Sequence, residues 1–238
     1  PRKGKYPKLN VPEISESEYQ PYIVQDFTKG FKPNKNGEWV DWKRPEEGLW
    51  RNIAPDDNTA SFPCRIVEAH GKKALLLTRK KSAGTKGVPY VLRAKSRICS
   101  GKAKIAFSVW LEQKGSQCLI RVCTSNTYDG NLMLMISSDK IAYGNVKKGF
   151  TRSDVRIEPK QWYRFELDAD YDKNIYSARV KGKDGSWHEI VKDQALTTDV
   201  KYKEYNCIFI FPGGQQEADC YLTDFNYQVS NPFFNKEQ

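Results

Sequence analysis

The sequence predicts an all-β domain, and three observations support this. Aromatic residues make up 13% of the 238 residues while Met occurs only twice, which suits half-buried sheet surfaces better than helix seams. Apolar and polar residues alternate with a period of two in many short segments along the chain. Gly, Pro, Asn and Asp separate these segments, and no long helical pattern appears. We therefore expect antiparallel strands around one core.

Twelve segments show the strand pattern, and short turns rich in Gly, Asp and Lys separate them. The predicted strands are 22–27, 64–68, 74–78, 90–98, 103–113, 117–124, 131–137, 140–145, 162–170, 174–181, 206–211 and 220–229. A chain of this length can bury one sizeable core, so we expect a single domain over 21–230. An extended basic arm is expected over 1–20 and a short tail over 231–238.

One stretch, 32–58, interrupts the alternation. It carries Trp39, Trp42 and Trp50 among Pro, Gly, Asn and Asp, which predicts a long ordered loop or a lid. Long loops on a rigid sheet often carry function. The favoured interpretation is nevertheless that these tryptophans cover one end of the core.

The charge of the chain restricts its partners. A formal net charge of +10 predicts a positive surface that attracts nucleic acid, an anionic membrane or an acidic polysaccharide. The apolar runs are far shorter than the ~20 residues of a membrane helix, and no nucleic-acid recognition motif appears. We expect an acidic polysaccharide as the partner of a monomeric chain. No signal peptide is visible, but a protein with this partner is expected to be secreted, periplasmic or on the cell surface.

Cysteine and histidine form no recognisable metal or nucleophile motif. No pair among the six cysteines has the spacing of a zinc site: Cys64, Cys99, Cys118, Cys123, Cys207 and Cys220. Cys207 and Cys220 bracket Gly213-Gly214 almost symmetrically, so a disulfide across a predicted hairpin and a pair of buried thiols both stay open. His70 and His188 lie outside any metal-site or Ser-His-Asp pattern.

Alternation predicts which side chains point away from the core. In 103–111 the odd-numbered residues are apolar, which places Lys104 and Trp110 on the opposite face. Three cations share one parity in the preceding strand, and Arg121 points outward in the following one. We interpret these residues as a basic substrate-binding set, with a solvated sheet face as the alternative: Arg93, Lys95, Arg97, Lys104, Trp110 and Arg121.

A row of carboxylates marks the segment 162–170. Glu166, Asp168 and Asp170 share the face opposite to its apolar residues. Adjacent carboxylates on one face are how many glycosidases arrange an acid and a nucleophile. The row continues directly into the turn at 172–174, so an exposed strand end is the favoured interpretation.

Several segments together resemble the concanavalin A-like jelly rolls of the lectin and glucanase superfold. They are 91–97 followed by 101–109, the hairpin of 161–167 and 176–180, and a closing strand at 221–227 that pairs back near 24–27. The resemblance covers most of 22–229 and implies two antiparallel sheets packed as a sandwich. For a carbohydrate-binding domain of this kind we expect a structural calcium near Asp26 and Asp224.

A narrower resemblance concerns the segment 209–214, Phe-Ile-Phe-Pro-Gly-Gly. It is similar to the aromatic-Gly-Gly hairpin of jelly-roll lyases that cleave glucuronan or alginate. This resemblance implies proton abstraction next to a carboxylate by Tyr, His or Lys, while Arg or Lys neutralises the charge. The chain lacks the Gly-Gly-Lys-Leu-Pro and Tyr-x-Lys-x-Gly-x-Tyr segments of these lyases, so no catalytic residue is assigned.

Two functions fit these observations best. The first is a polysaccharide lyase that performs β-elimination at a uronate and needs no cofactor. The second is a non-catalytic carbohydrate-binding module in which Trp110 or the tryptophans of 32–58 stack on sugar rings. The lyase is favoured because the chain is a full-sized, strongly basic domain. A glycoside hydrolase using Glu166 and Asp168 ranks third, and a nucleic-acid binder fourth.

Overall fold

The structure, a computed structural model, describes residues 20–24, 50–53, 65–79, 91–96, 101–124, 130–145, 148–196, 206–213 and 218–230. These ranges contain fifteen β-strands and no helix. The strands are β1 Gln20–Val24, β2 Trp50–Ile53, β3 Arg65–Ala69, β4 Lys72–Arg79, β5 Val91–Ser96, β6 Lys102–Leu111, β7 Gln117–Thr124, β8 Gly130–Ser137, β9 Ile141–Asn145, β10 Gly149–Arg152, β11 Trp162–Asp170, β12 Ile175–Lys181, β13 Trp187–Ala195, β14 Asn206–Gly213 and β15 Ala218–Val229. A search of the same ranges finds no helical segment with the length and hydropathy of a membrane span.

The strands form two antiparallel sheets. One sheet has eight strands in the order β13-β12-β11-β6-β15-β4-β3, and β1 also pairs with β15. The other has seven strands in the order β10-β9-β8-β7-β14-β5-β2. Each of the twelve predicted strands overlaps an observed one, whereas β2, β10 and β13 were not predicted. The all-β sandwich expected from alternation is therefore observed.

The core lies between the two sheets, as the alternation on β6 predicts. All five odd-numbered residues of 103–111 are at most 1% exposed. Phe107 lies at the centre of the eight-stranded sheet, where its ring stacks 5.5 Å from that of Phe165 and 6.4 Å from that of Phe225. The seven-stranded sheet contributes the buried side chains that face them, including Cys118, Ile120, Val122, Leu134 and Ile136.

Two sequence expectations are wrong at this level. The Trp-rich stretch 32–58 is not loop throughout, because Trp50–Ile53 forms β2 and pairs with β5 at the edge of the seven-stranded sheet. Trp39 and Trp42 lie outside the described residues. The segment around Gly213-Gly214 is not a hairpin, because β14 belongs to the seven-stranded sheet and β15 to the eight-stranded one.

This topology also removes the argument for a disulfide across that hairpin. Cys220 is buried on β15, while Cys207 of β14 lies opposite Cys123 of β7 in the other sheet. The two cysteines are therefore not cross-strand neighbours. The chain between them passes from one layer of the sandwich to the other.

Strand β15 lies in the middle of the eight-stranded sheet. It pairs with β6 along one side, and with β4 and then β1 along the other. The pairing of Val24 with Asn226 confirms that the closing strand returns to the first strand. Its register against β6 shifts between Thr223 and Asn226, and Asp224 adopts a positive φ of 53° there. This β-bulge changes the direction in which the Asp224 side chain and carbonyl point.

Candidate functional site

The outer face of the eight-stranded sheet collects polar and aromatic side chains. Because the odd-numbered residues of β6 fill the core, Lys104, Ala106, Ser108 and Trp110 face outward. On the neighbouring strand β11 the odd-numbered residues also fill the core, so its even-numbered residues occupy the same outer face: Trp162, Arg164, Glu166, Asp168 and Asp170. The bulged strand β15 adds further polar residues on the other side of β6.

Four rings form an aromatic cluster at one end of this face: His70, Trp110, Trp162 and Tyr221. The His70 ring stacks on Trp110 with centroids 3.8 Å apart and planes 11° apart. Tyr221 meets the same imidazole edge-on at 4.9 Å. Trp162 lies 5.8 Å from Trp110 at an interplanar angle of 58°. The cluster therefore holds a histidine and a tyrosine side by side.

The turn between β3 and β4 brings His70 to this cluster. His70 and Gly71 have φ values of 52° and 75°, as a two-residue hairpin turn requires. The indole Nε1 of Trp162 donates to the His70 carbonyl at 3.1 Å. Glu112 Oε2 lies 2.9 Å from His70 Nε2 and accepts from Trp110 Nε1 at 3.2 Å. These contacts fix the imidazole on the sheet face.

An ion pair centred on Asp224 adjoins the aromatic cluster. Lys72 Nζ donates to Asp224 Oδ2 at 2.8 Å, and Ser108 Oγ donates to the same oxygen at 2.9 Å. Partial burial alone raises the pKa of Asp224, but these two hydrogen bonds and the Lys72 charge bring it below the usual value. The ammonium of Lys72 also lies 5.4 Å from the Trp162 ring centroid. Lys72 thus connects the charged and the aromatic parts of the face.

Two arginines complete the centre of the face. Arg179 of β12 binds Glu166 Oε2 through Nη2 at 2.6 Å and Nε at 3.0 Å. Arg164 Nη1 donates to the carbonyl oxygen of Asp224 at 2.9 Å. Strand β6 runs between β11, which carries Arg164, and β15, which carries Asp224. At this level it presents the small side chains of Ala106 and Ser108. Charged side chains of β11 and β15 flank this strip over Ala106 and Ser108, which is called the trough below.

The structure divides the predicted substrate-binding set between two opposite surfaces. Lys104 and Trp110 lie on the outer face of the eight-stranded sheet. Arg93, Lys95 and Arg121 belong to the seven-stranded sheet, where the positions of Arg93 and Arg121 flank Phe209 in one row. Arg97 lies outside the described residues. The single basic face expected from the sequence is therefore not formed.

The surroundings of Arg121 also differ from the expected open basic surface. Its neighbours on the same face, Leu119 and Met133, are 7% and 4% exposed. Such burial is characteristic of a covered sheet region rather than of a solvated stripe. The outer face of the eight-stranded sheet is consequently the better candidate site.

The suggested calcium site has one residue within the described ranges. Asp224 accepts a hydrogen bond from the Lys72 ammonium through Oδ2 at 2.8 Å. Asp26 lies outside the described residues. Across the described ranges, no group of three or more His, Cys, Asp or Glu side chains is arranged to hold a metal ion.

Sequence reasoning missed the centre of this site. His70, Arg164 and Tyr221 were not among the predicted binding residues. Arg164 shares its strand parity with Trp162 and Glu166, which was the available signal. His70 carried no signal, because only the three-dimensional path of the β3–β4 turn places it against Trp110.

No protein-family model matches this chain, and no curated protein matches it either. Among solved structures, the chain is similar to a sialidase with a TM-score of 0.58 and 12% identity, covering 90% of this chain and 19% of that one. The chain thus spans about a fifth of that protein. It is also similar to the catalytic domain of a glycoside hydrolase family 131 protein from Coprinopsis cinerea, with a TM-score of 0.57 and 11% identity. That match covers 90% of this chain and 95% of the other.

A third similar structure is a GH43 glycoside hydrolase with an engineered active site. The TM-score is 0.52 at 13% identity, over 78% of this chain and 39% of that one. At these identities the likeness concerns the fold alone. The chain adopts an all-β, two-sheet antiparallel jelly-roll sandwich of the concanavalin A-like class, as the resemblance of its strands implied.

Proposed function

We propose that this chain acts on an acidic polysaccharide at the outer face of the eight-stranded sheet, and that the reaction is β-elimination at a uronate. The observation that carries this proposal is the placement of His70 against Trp110 and Tyr221, next to the cations of the trough. The similar structures include proteins described as glycoside hydrolases, which supports a carbohydrate as the ligand.

The face has the components that a sugar polymer requires. Trp110 and Trp162 are half-buried and present apolar surface, while charged and hydroxyl groups lie a few ångströms further along the same face. Carbohydrate sites commonly combine an apolar platform with a few fixed polar groups. Arg164 supplies positive charge near the platform, and Lys72 lies beside the Trp162 ring in its ion pair with Asp224. This charge suits a polymer that carries carboxylates.

The same arrangement supplies the groups for proton transfer. Glu112 beside Nε2 favours the tautomer with the proton on that nitrogen, which leaves His70 Nδ1 as an acceptor. His70 takes the proton from the carbon next to the uronate carboxylate. The electron pair forms a carbon–carbon double bond as the C–O bond to the departing sugar breaks, and Tyr221 gives a proton to the departing oxygen.

Hydrolysis by paired carboxylates fits this face less well. A glycosidase needs one carboxylic acid that stays protonated to serve as the general acid. Asp224 has a lowered pKa, and Glu166 receives two hydrogen bonds from Arg179. The lowered pKa favours the ionised form of Asp224, and the Glu166 carboxylate is occupied by the Arg179 guanidinium. Elimination is therefore the reaction that the geometry supports best.

The first test exposes the protein to alginate, glucuronan and polygalacturonate and records the ultraviolet absorbance of unsaturated uronate products. We expect a rise with one of these polymers. His70→Ala and Tyr221→Phe should each reduce the rate by about 100-fold or more, since general acid–base groups contribute factors of this size. Tyr221→Phe keeps the ring that packs against His70, so it is expected to remain folded and to bind the polymer.

His188→Ala is the matched control, because His188 is exposed near the start of β13, away from the aromatic cluster. Its rate should equal that of the unmodified chain. Equal losses in His188→Ala and His70→Ala would remove His70 from the reaction. Retarded migration of the protein in a polymer-containing gel, without any rise in absorbance, would instead favour a non-catalytic binding module. Trp110 and Trp162 alone could form the sugar-binding surface of such a module.

A separate variant distinguishes elimination from hydrolysis. Glu166→Gln should leave the rate within about twofold of the unmodified value, since the ion pair with Arg179 is partly exposed and such pairs contribute ~0–1 kcal/mol. The measurement is the release of new reducing ends from the same polymers. A loss of about 100-fold with unchanged folding would identify Glu166 as a catalytic carboxylate and support hydrolysis.

A further inference from the structure

We infer that Arg164 is the residue that recognises the carboxylate of the sugar unit, and hence the residue that sets the preference for acidic over neutral polymers. The inference rests on the proposed function, because it assumes that the glycan binds on the outer face of the eight-stranded sheet. It names the side chain that binds the sugar carboxylate, a role that no residue of the aromatic cluster fills.

The cations near the trough differ in the groups that they bind. Lys72 is paired with Asp224, and Arg179 is paired with Glu166. Arg164 contacts no carboxylate within the described part of the chain, where its one hydrogen bond goes to the uncharged carbonyl of Asp224. Lys72 and Arg179 make the direct contacts to Asp224 and Glu166, and the Arg164 charge acts on Asp224 only through space, where it helps to lower the pKa of that carboxyl. In the described ranges the Arg164 guanidinium forms no direct ion pair, so it can form one with a ligand.

The bulge in β15 determines where the guanidinium lies. Arg164 belongs to β11, whereas the carbonyl that it binds belongs to β15, on the far side of β6. The side chain therefore crosses β6, where Ser108 lies opposite Arg164 and Ala106 is the next outward residue. Larger residues at these positions would block this path. The guanidinium is held over the floor of the trough by a fixed carbonyl.

The chemistry of the group matches a carboxylate. A guanidinium has five N–H donors in a planar fork, and one of them suffices for the Asp224 carbonyl. The remaining donors can bind two carboxylate oxygens at once, which an ammonium cannot do with the same geometry. Half-burial of Arg164 reduces screening by solvent and strengthens such a contact. A uronate fits this position better than a neutral sugar.

The test measures binding of alginate and of a neutral β-glucan by affinity electrophoresis. Arg164→Gln should weaken alginate binding by about tenfold to a hundredfold, the usual effect of losing hydrogen bonds to a charged group. The alginate affinity of Arg164→Lys should lie between that of Arg164→Gln and that of the unmodified chain, because lysine keeps the charge but lacks the planar set of guanidinium donors. Any migration shift with the neutral glucan should stay the same in all three proteins.

Arg156→Gln is the matched control, since Arg156 also donates to backbone carbonyls but lies in the exposed loop before β11. Circular dichroism of each variant verifies that it is folded. Unchanged alginate binding in Arg164→Gln, or an equal loss in Arg156→Gln, would overturn the inference.

A second readout separates failure of this inference from failure of the proposed function. In protein labelled with ¹⁵N-arginine, the Nε–Hε resonance of Arg164 is identified by its absence in Arg164→Gln. A shift of this resonance on addition of sodium glucuronate supports a carboxylate site at Arg164. If the resonance shifts but no polymer binds, only the proposed function is refuted. An unmoved resonance in a protein that does bind alginate refutes the inference and leaves the proposed function in place.

Discussion

Phe107→Ala is expected to destabilise the protein by about 3–5 kcal/mol, the range observed when a buried phenylalanine is truncated. Phe107 is fully buried and stacks on two further phenylalanines of the same sheet, Phe165 and Phe225. Removing its ring leaves a cavity that neither neighbour can fill without leaving its own position. Thermal unfolding followed by circular dichroism should show a midpoint lowered by roughly 10 °C.

The matched control for this substitution is Phe150→Ala. Phe150 lies on the edge strand β10 and is 40% exposed, so the same truncation removes little buried surface. We expect a change within about 1 kcal/mol. A comparable loss of stability in both variants would show that the stacked phenylalanines do not form the centre of the core.

Gly144→Ala is the second substitution with a large expected effect. Gly144 lies on β9 opposite Phe150 of β10, and a Cβ at this position would collide with the backbone carbonyl of Gly149. Backbone atoms cannot rotate away as a side chain can, so β10 would have to separate from β9. The shift would also disturb the hydrogen bond that Tyr176 Oη donates to the Gly144 carbonyl at 3.2 Å. We expect a loss of about 2–3 kcal/mol.

Denaturant unfolding of Gly182→Ala provides the comparison. A Cβ on Gly182 would lie 2.6 Å from His188 Nε2, but that atom is the end of an exposed side chain that can rotate. The cost should therefore be below about 1 kcal/mol. If Gly144→Ala proved equally mild, the close approach of β9 and β10 would not be a requirement of the fold.

Strand parity made much of this fold predictable. On β11 the alternation of burial is strict, and on β6 only the buried Ser108 departs from it, so parity correctly separates core residues from outward residues. The unpredicted strand β13 shows why this signal sometimes fails. Ile190 and Val191 are buried in succession, Asp193 has a positive φ of 49°, and the register against β12 shifts. A bulged strand loses the period of two on which the prediction depends.

The candidate site was less predictable, for two physical reasons. Parity assigns a residue to the inside or outside of its own sheet, but it does not say which sheet a strand joins. Arg121 and Trp110 both point outward in the sequence pattern, yet they belong to opposite layers. In addition, the contacts of His70 and Asp224 depend on positive φ angles at a turn and at a bulge, which alternation does not encode.

The position of β15 has a consequence for how the protein folds. This strand follows both β4 and β6 in the sequence and separates them in the sheet, so the eight-stranded sheet cannot close until residues 218–229 have been inserted. Contacts between such distant parts of the chain make folding slow, because loop closure must precede the stabilising pairings. During this interval β6 and β4 expose unpaired edges, which are sites of aggregation. The strand that carries Tyr221 and Asp224 therefore also joins the two parts of the sheet, and the site forms only after this strand has been inserted.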